Sequence, residues 1–234
     1  MNLNKNELKS AIIGMIIGDG CLQRFKNKSG EFSKNVAFQM THCEKQHEYM
    51  LWKKDILENI SKCIIHPNNH KASNGKECSG YHLYGRANPI YTKLYSRFYQ
   101  YGKKSVDEYL VKMITPLALA IMYMDDGCMG KGYKKYWTKE TCYLCLDNFD
   151  YANLFLIKKS LKIKFDLDWN INKTSVKYYQ LRLLNNHNEK FINLIRPYVE
   201  QVPSMMYKLG SYAGYPAFYN EDKIQSDPNG DIGS

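Results

Sequence analysis

Two long apolar runs stand out in the hydrophobic pattern of this chain. The first covers Ala11 to Gly20, as AIIGMIIGDG, and the second covers Leu117 to Gly127, as LALAIMYMDDG. Each run is about three helical turns long, at ~3.6 residues per turn, and is apolar on nearly all sides, which is typical of a fully buried helix. Both runs end in an aspartate and a glycine, and Asp19 and Asp126 are 107 positions apart. The pattern predicts a duplicated unit with one acidic group in each copy.

The ends of the two runs carry an unusual concentration of negative charge. Gly20 and Gly127 stand where many helices end in a left-handed residue, which places Asp19 and Asp126 at the last turn. A helix carboxyl end bears about half a negative charge, so carboxylates there are disfavoured, and Asp125 adds a third. A divalent cation that bridges the pair would supply the counter-charge, because Mg²⁺ prefers carboxylate and water oxygens.

The first run also has a face without side chains. Gly14 and Gly18 are four residues apart, so they lie on the same side of the predicted helix. Another backbone can approach such a face very closely. We therefore expect the two apolar helices to lie flank to flank and to bring both acidic ends to one place.

The remaining pattern repeats one order of elements twice, as helix, strand pair, helix, strand pair, helix. Period-two alternation predicts strands, with Val36, Phe38 and Met40 on one face of the clearest of them, and longer periodic stretches predict helices. The helix predicted over 44–60 carries an apolar stripe made of Met50, Leu51, Ile56, Leu57 and Ile60. Thr115 and Pro116 are a typical helix start, and Pro197 to Pro203 is expected to end the last helix. The prediction is an α+β fold with a first half over 1–100, a linker over 101–114, a second half over 115–210 and a tail over 211–234.

Composition narrows the class of partner. The chain has 234 residues, of which 44% are hydrophobic, so it can bury a core. Its formal charge of +10 is a surplus of positive charge that favours a polyanionic partner. No apolar run approaches the ~20 residues of a membrane span, and Asp19 interrupts the only stretch that resembles a signal peptide. Seven cysteines at scattered spacing favour reduced thiols in a reducing intracellular compartment. Cys142 and Cys145 form a lone CxxC in a strand-like run, which we interpret as two buried thiols rather than a zinc site.

Basic residues accumulate in or beside the predicted strands. Two sheets side by side, each with one polar face, would form a long basic saddle, and a two-stranded ribbon fits the major groove of DNA. Any single basic residue of the set is a phosphate contact or ordinary surface more often than a base reader. The candidate DNA-binding residues are Arg24, Lys26, Lys28, Lys34, Arg86, Lys131, Lys134, Lys135, Lys173, Lys177 and Arg182.

The two acidic runs resemble the twin motifs of LAGLIDADG homing endonucleases. The first copy reads IIGMIIGDG over 12–20 and the second reads LAIMYMDDG over 119–127, with Ile121 where the motif has glycine. One copy of so short a motif is weak evidence, but two copies at half-chain spacing in a basic protein are specific. The resemblance covers most of the chain and is nearest to the single-chain, two-motif branch found in mitochondrial introns. It implies two pseudo-symmetric αββαββα halves in a monomer, with both antiparallel sheets on double-stranded DNA.

The same resemblance implies a chemistry and its residues. Asp19 and Asp126 would be the catalytic carboxylates and would hold Mg²⁺, or Mn²⁺ in its place, together with Gly18 and Asp125. Asp125 is the rival of Asp126 for the catalytic position. Lys104 and Lys208 match the basic pocket residues by position in each half and would polarise the phosphate or orient the water.

Three functions account for these features to different degrees. A site-specific DNA endonuclease that makes double-strand breaks with short 3′ overhangs accounts for both acidic ends and the basic charge. An intron RNA maturase, or a non-cleaving nucleic-acid-binding protein of the same fold, would use the motif helices for packing. A small-molecule enzyme with an aspartate pair lacks support, because neither GxxxxGK nor GxGxxG is present. The expected location is a mitochondrion, another organelle, or a bacterial or phage-infected cytoplasm.

Overall fold

Two antiparallel four-stranded sheets, each backed by helices, make up most of the molecule. The computed structural model describes residues 3–26, 29–71, 75, 77–100, 102–131 and 140–214. The predicted DNA contacts Lys28, Lys134 and Lys135 lie outside these residues, as does most of the predicted tail. No helix in the described part of the chain has the length and apolar character needed to cross a bilayer.

The helices follow the predicted order closely. The α-helices are α1 (Lys5–Ile17), α2 (His47–Leu57), α3 (Pro89–Phe98), α4 (Glu108–Lys112), α5 (Pro116–Asp126), α6 (Tyr151–Phe165) and α7 (Asn188–Val199). Three 3-10 segments cover Glu44–Gln46, Asn185–His187 and Pro203–Ala213. The short helix α4 lies inside the stretch predicted as a linker.

The strands build the same sheet twice. They are β1 (Cys21–Gln23), β2 (Val36–Cys43), β3 (Cys63–Pro67), β4 (His70–Lys71), β5 (Glu77–Cys78), β6 (Gly80–Asn88), β7 (Gly127–Lys131), β8 (Glu140–Leu144), β9 (Trp169–Lys173) and β10 (Tyr179–Leu183). The spatial orders are β1-β2-β6-β3 and β7-β8-β10-β9, with β4 and β5 forming a separate two-stranded hairpin. Because each half places its four main strands in the same order, the prediction of two pseudo-symmetric αββαββα halves is confirmed.

The centre of the core is the pair of motif helices. Every residue from Ser10 to Ile17 in α1 and from Leu117 to Met124 in α5 is buried, as predicted for helices that are apolar all round. Both helices begin with strong caps. Asn4 and Glu7 form a reciprocal capping box on α1, and the Thr115 hydroxyl accepts the Ala118 N–H on α5 at 3.4 Å.

Helix α7 ends at Val199, within the stretch from Pro197 to Pro203 that was predicted to end it, and Pro197 lies in its last turn, where a proline leaves few hydrogen bonds to disrupt. Three details differ from the sequence prediction. Leu51 is predicted in the buried stripe of α2 but is 44% exposed, because the buried face of that helix runs through Tyr49 and Lys53 instead. The hairpin of β4 and β5 and the 3-10 segment over 203–213 were not predicted, since neither has a clear apolar period.

Candidate active site

The motif helices approach each other through the two glycines of the first motif, as predicted. A Cβ atom added to Gly14 would lie 2.7 Å from the Ala118 carbonyl oxygen and 2.8 Å from the Ala118 Cα. A Cβ atom added to Gly18 would overlap the carboxylate of Asp125. The absence of two side chains therefore lets α1 and α5 run in backbone contact and places their carboxyl ends side by side.

The helix ends differ from the predicted left-handed geometry. Helix α1 ends at Gly18, with φ −76°, and α5 passes into Gly127, with φ −85°. The prediction of left-handed ends at Gly20 and Gly127 is wrong, because the chain turns directly from each helix into a strand, β1 or β7. The glycines are needed for space instead: a Cβ atom at Gly20 would lie 2.6 Å from the Met15 carbonyl oxygen.

A lysine covers each of these helix ends. Lys104 Nζ donates to the Gly18 carbonyl at 3.1 Å and to the Gly20 carbonyl at 3.0 Å. Lys208 Nζ donates to the Asp125 carbonyl at 3.4 Å and to the Gly127 carbonyl at 2.6 Å.

The two lysines occupy equivalent places in the two halves. The carbonyls that each binds come immediately before and after a motif aspartate, Asp19 or Asp126. Lysines near a helix carboxyl end bind unsatisfied carbonyls and oppose the helix dipole. Burial lowers the pKa of both lysines, while the neighbouring aspartates oppose that shift.

The two motif aspartates share one electrostatic environment. Burial, followed by the nearby charges of Asp19 and Asp125, raises the pKa of Asp126 to about 7. Burial and then Asp125 raise the pKa of Asp19 as well, although its side chain is 38% exposed and partly screened by solvent. Carboxyl groups that resist ionisation in this way lack a positive partner of sufficient strength.

Asp125 has a partner that the sequence analysis did not identify. Its carboxylate forms an ion pair with Lys53, and both side chains are fully buried. The other carboxylate oxygen accepts the Asp19 N–H at 3.3 Å. The Lys53 ammonium also lies 3.0 Å from His42 Nε2 and 4.1 Å from the centre of the Tyr49 ring, so it is enclosed by an anion, an imidazole and an aromatic face.

His42 completes this group beside the first motif. Burial, and then the charge of Lys53, lowers the pKa of His42 to about 3, so the ring is neutral. Since Nε2 faces an ammonium donor, Nδ1 carries the proton. That nitrogen lies 3.6 Å from an Asp19 carboxylate oxygen.

The oxygen donors at the helix ends fit a hard divalent cation. Carboxylates of Asp19 and Asp126, with the carbonyls of Gly18 and Asp125, are the ligand types that Mg²⁺ and Mn²⁺ prefer. Asp19, His42 and Asp125 also bring potential ligand atoms within 4.8 Å of one another. The Lys53 ammonium already binds Asp125 and His42, however, so the cation charge at that spot is supplied by the protein itself.

The predicted DNA contacts are spread over both sheets and their edges. On β10 the buried Leu181 and Leu183 alternate with Gln180 and Arg182, so Arg182 lies on the sheet face away from the core. Arg86 is exposed at the end of β6. Arg24 instead lies over the Tyr95 ring of α3, 5.9 Å from its centre.

The other described members of the predicted set are exposed or at strand ends. Lys26 bridges to Phe32 beyond β1, and Lys131 ends β7. Lys34, Lys173 and Lys177 are exposed. Cys142 of the lone CxxC is buried and Cys145 is half-buried.

The fold and the site together define a duplicated protein with one acidic helix end and one lysine cap per half. The sequence model of the LAGLIDADG DNA endonuclease family matches residues 9–191. The chain belongs to this family, and the resemblance drawn from the two motifs is confirmed.

Curated relatives include both mRNA maturases and a DNA endonuclease. The cytochrome b mRNA maturase bI2 of Debaryomyces hansenii is 28% identical over 221 residues, covering 91% of this chain and 78% of that protein. The protein of the same name from Saccharomyces cerevisiae is 30% identical over 227 residues, covering 90% of this chain but 48% of that protein, so the chain spans about half its length. DNA endonuclease I-ChuI of Chlamydomonas applanata is 25% identical over 223 residues, covering 89% and 96%.

A solved structure shares the fold over nearly the whole chain. The homing endonuclease I-WcaI bound to its DNA recognition sequence aligns with a TM-score of 0.75 at 24% identity, covering 89% of this chain and 88% of that one. At this identity the likeness establishes the architecture of the two halves.

Proposed function

We propose that the protein is a homing endonuclease that cuts both strands of duplex DNA at a long specific site and leaves short 3′ overhangs. The observation that carries the proposal is the convergence of Asp19 and Asp126. Helices α1 and α5 are in backbone contact and end side by side. Each of these ends has a carboxyl group of raised pKa and is capped by a lysine. One carboxylate per half matches one cut per strand of the duplex.

The side chains of the site have distinct proposed roles. Asp19 and Asp126 are the proposed catalytic carboxylates and direct ligands, and the Gly18 and Asp125 carbonyls complete the oxygen donors. A bound divalent ion would activate water and relieve charge on the phosphate and the leaving oxygen. Asp126 must lose its proton to serve as a ligand, which a nearby cation favours.

Lys104 and Lys208 keep the helix ends in place and supply fixed positive charge. Each ammonium has a third N–H beyond the two that its carbonyls accept. That remaining donor is available to a phosphate oxygen, where a preorganised positive charge stabilises the negative charge of the reacting phosphate. We therefore propose that both lysines orient the phosphate or the attacking water.

The polar faces of the two sheets are the proposed DNA surface. Arg86 and Arg182 stand on equivalent faces of the two halves, and the net charge of +10 favours binding of a polyanion. The family and the I-WcaI complex support this assignment. An organelle location is part of the same proposal, supported by the cytochrome b mRNA maturases among the relatives.

A cleavage screen on a randomised duplex library tests the function. The protein is incubated with the library in Mg²⁺, in Mn²⁺ and in EDTA, and the ends produced are sequenced. The proposal predicts breaks at one family of related long sites, with 3′ overhangs, in Mg²⁺ and Mn²⁺ only. A library that stays intact under all three conditions while the protein still binds duplex DNA would contradict it.

An intron RNA maturase is the second candidate, and the two maturase relatives specifically favour it. The nuclease and the maturase differ in whether their activity requires the carboxylates of Asp19 and Asp126. Splicing assistance that survives Asp19→Asn, in a protein that cuts no duplex, would assign the motif helices to packing alone. Cleavage and splicing by the same chain would show both functions.

The raised pKa of Asp126 makes stability depend on pH in a definite direction. The native pKa of about 7 lies above the ordinary 3.8, so the native state holds a proton that the unfolded chain releases. Stability without divalent ions is expected to fall as the pH rises between about 4 and 7. At pH 8 in EDTA, Asp126→Asn should therefore be more stable than wild type by on the order of 1–3 kcal/mol, allowing for solvent screening.

Urea unfolding at pH 5 and pH 8 measures this difference. The advantage of Asp126→Asn should be largest at pH 8, and Mg²⁺ should stabilise wild type more than the variant. A variant that is less stable than wild type at pH 8 in EDTA would show that the carboxylate is satisfied in the native protein.

A further inference from the structure

Residues of the two halves can be matched through strand register and burial around the motif helices. Cys21 pairs with Gln39 between β1 and β2, and Cys128 pairs with Tyr143 between β7 and β8, so positions on the second strand correspond at a spacing of 104. The next helix keeps this spacing, since the buried positions of α2 and α6 match one to one. They are 49, 50, 53, 56 and 57 in α2, and 153, 154, 157, 160 and 161 in α6.

This correspondence reveals one difference between the halves. The charged or polar residues His42, Lys53 and Asp125 form a group beside Asp19, whereas the matching positions beside Asp126 hold uncharged, mostly apolar residues. His42 and Lys53 are buried, and so are the aliphatic side chains at the matching positions. The three pairs are His42 with Leu146, Lys53 with Ile157, and Asp125 with Gly18.

Two members of this polar group, Asp125 and His42, lie against Asp19. Asp125, held by Lys53, accepts the Asp19 N–H at 3.3 Å. His42 Nδ1 faces the Asp19 carboxylate at 3.6 Å. At Asp126 the matching residues offer neither contact, because Gly18 has no side chain and Leu146 and Ile157 carry no polar group.

A buried ion pair is weak evidence for stability, since well-packed apolar residues of similar volume often serve as well or better. The second half shows that this fold accommodates apolar residues at the same buried positions. Packing therefore does not explain the charged group, whereas its two contacts to Asp19 do.

We infer that His42, Lys53 and Asp125 are positioning residues of the Asp19 site, and that they make the two cleavage sites of one chain unequal. The inference rests on the proposed nuclease function. The group accepts the Asp19 N–H and faces its carboxylate, whereas the matching positions beside Asp126 offer neither contact. The strand served by Asp19 and the strand served by Asp126 are then cut at rates that different parts of the protein control.

The second half itself supplies the test variant. The triple change His42→Leu, Lys53→Ile and Asp125→Gly copies its residues into the first half and removes both partners of the ion pair together. Single-turnover cleavage in Mg²⁺ is followed on a duplex from the library screen, with the two strands labelled differently. The strand that Asp19→Asn slows more is assigned to Asp19.

The expected result is a selective loss. Cleavage of the Asp19 strand should fall about 10–100-fold, as when an outer partner of a metal ligand is removed. The other strand should lose less in the triple variant, because the changed Asp125 adjoins Asp126, and should be unaffected in His42→Leu, which leaves Asp125 in place. The melting temperature should not fall. A matched control, Leu146→Met with Ile157→Leu, alters packing at the equivalent positions beside Asp126 and should leave the ratio of the two strand rates unchanged.

The remaining outcomes each decide the inference. Unchanged rates, or equal slowing of both strands, would overturn it while leaving the nuclease function intact, whereas a wild-type protein that cuts neither strand would overturn the function itself. If the triple variant does not fold, the single variant His42→Leu, which keeps the ion pair of Lys53 and Asp125, is tested in the same assay. A strand-selective loss in that variant supports the inference, and its absence overturns it.

Discussion

Asp19→Asn or Asp126→Asn is expected to lower duplex cleavage by at least about 100-fold while leaving duplex binding nearly unchanged. Removal of a mere outer partner of a metal ligand already costs about 10–100-fold, so loss of a ligand itself should cost no less. Binding should persist because both carboxylates lie at helix ends, and their negative charge does not attract DNA. Strand-resolved cleavage in Mg²⁺ and a binding assay in Ca²⁺ measure the two quantities.

Asp55→Asn is the matched control for this prediction. Asp55 is an exposed residue of α2, so its change removes one negative charge without touching the motif helices. It should cut like wild type. If either motif variant also cuts at the wild-type rate, that carboxylate has no part in the reaction.

Gly14→Ala is expected to destabilise the protein by about 1–3 kcal/mol, the usual cost of forcing an extra carbon into a packed core. The new Cβ would lie 2.7 Å from a backbone oxygen of α5, and a backbone cannot rotate away as a side chain can. The helices must separate, which displaces the acidic ends. Since a shift of about 1 Å in a reacting group can cost 10²-fold, cleavage should fall more than stability alone explains.

Gly85→Ala supplies the comparison. Gly85 is also buried, but its added Cβ would meet neighbours at 3.5 Å, an ordinary contact distance. Urea unfolding and Mg²⁺-dependent cleavage of the two variants should differ clearly, with Gly85→Ala close to wild type. Equal behaviour of the two variants would mean that the closeness of α1 and α5 is not required.

The motif helices could be predicted because their pattern is local and complete. Apolar residues on all sides of a run, with a glycine face and an acidic end, describe a buried helix without reference to its neighbours. The second sheet could be predicted from the first because the same order of elements recurs after the second motif.

The buried group of His42, Lys53 and Asp125 was missed because its members lie on three different elements. Within α2, Lys53 occupies a position on the buried face shared by Tyr49 and Met50, and a charged residue there predicts a buried partner. The assigned stripe included Leu51 and passed over Lys53. Its partners, Asp125 and His42, lie 72 positions after it and 11 before it, so only the tertiary structure brings the three together.

The role of the lysine caps was foreseen only by position in each half. Nothing local in the sequence indicates that Lys208 binds backbone carbonyls, because it lies in an unpredicted 3-10 segment over 203–213. That segment returns the chain to the end of α5. The left-handed glycine ends were predicted wrongly because the strands β1 and β7, into which the two motif helices lead, could not be placed so close to the helix ends from the sequence.

The most direct test of the paired acidic site is anomalous diffraction from Mn²⁺ in crystals of the protein with a duplex from the library screen. We expect manganese to be bound by carboxylate oxygens of both Asp19 and Asp126, next to the backbone phosphates of the DNA. Manganese bound elsewhere, or to one of these aspartates while the other points away from the duplex, would contradict it.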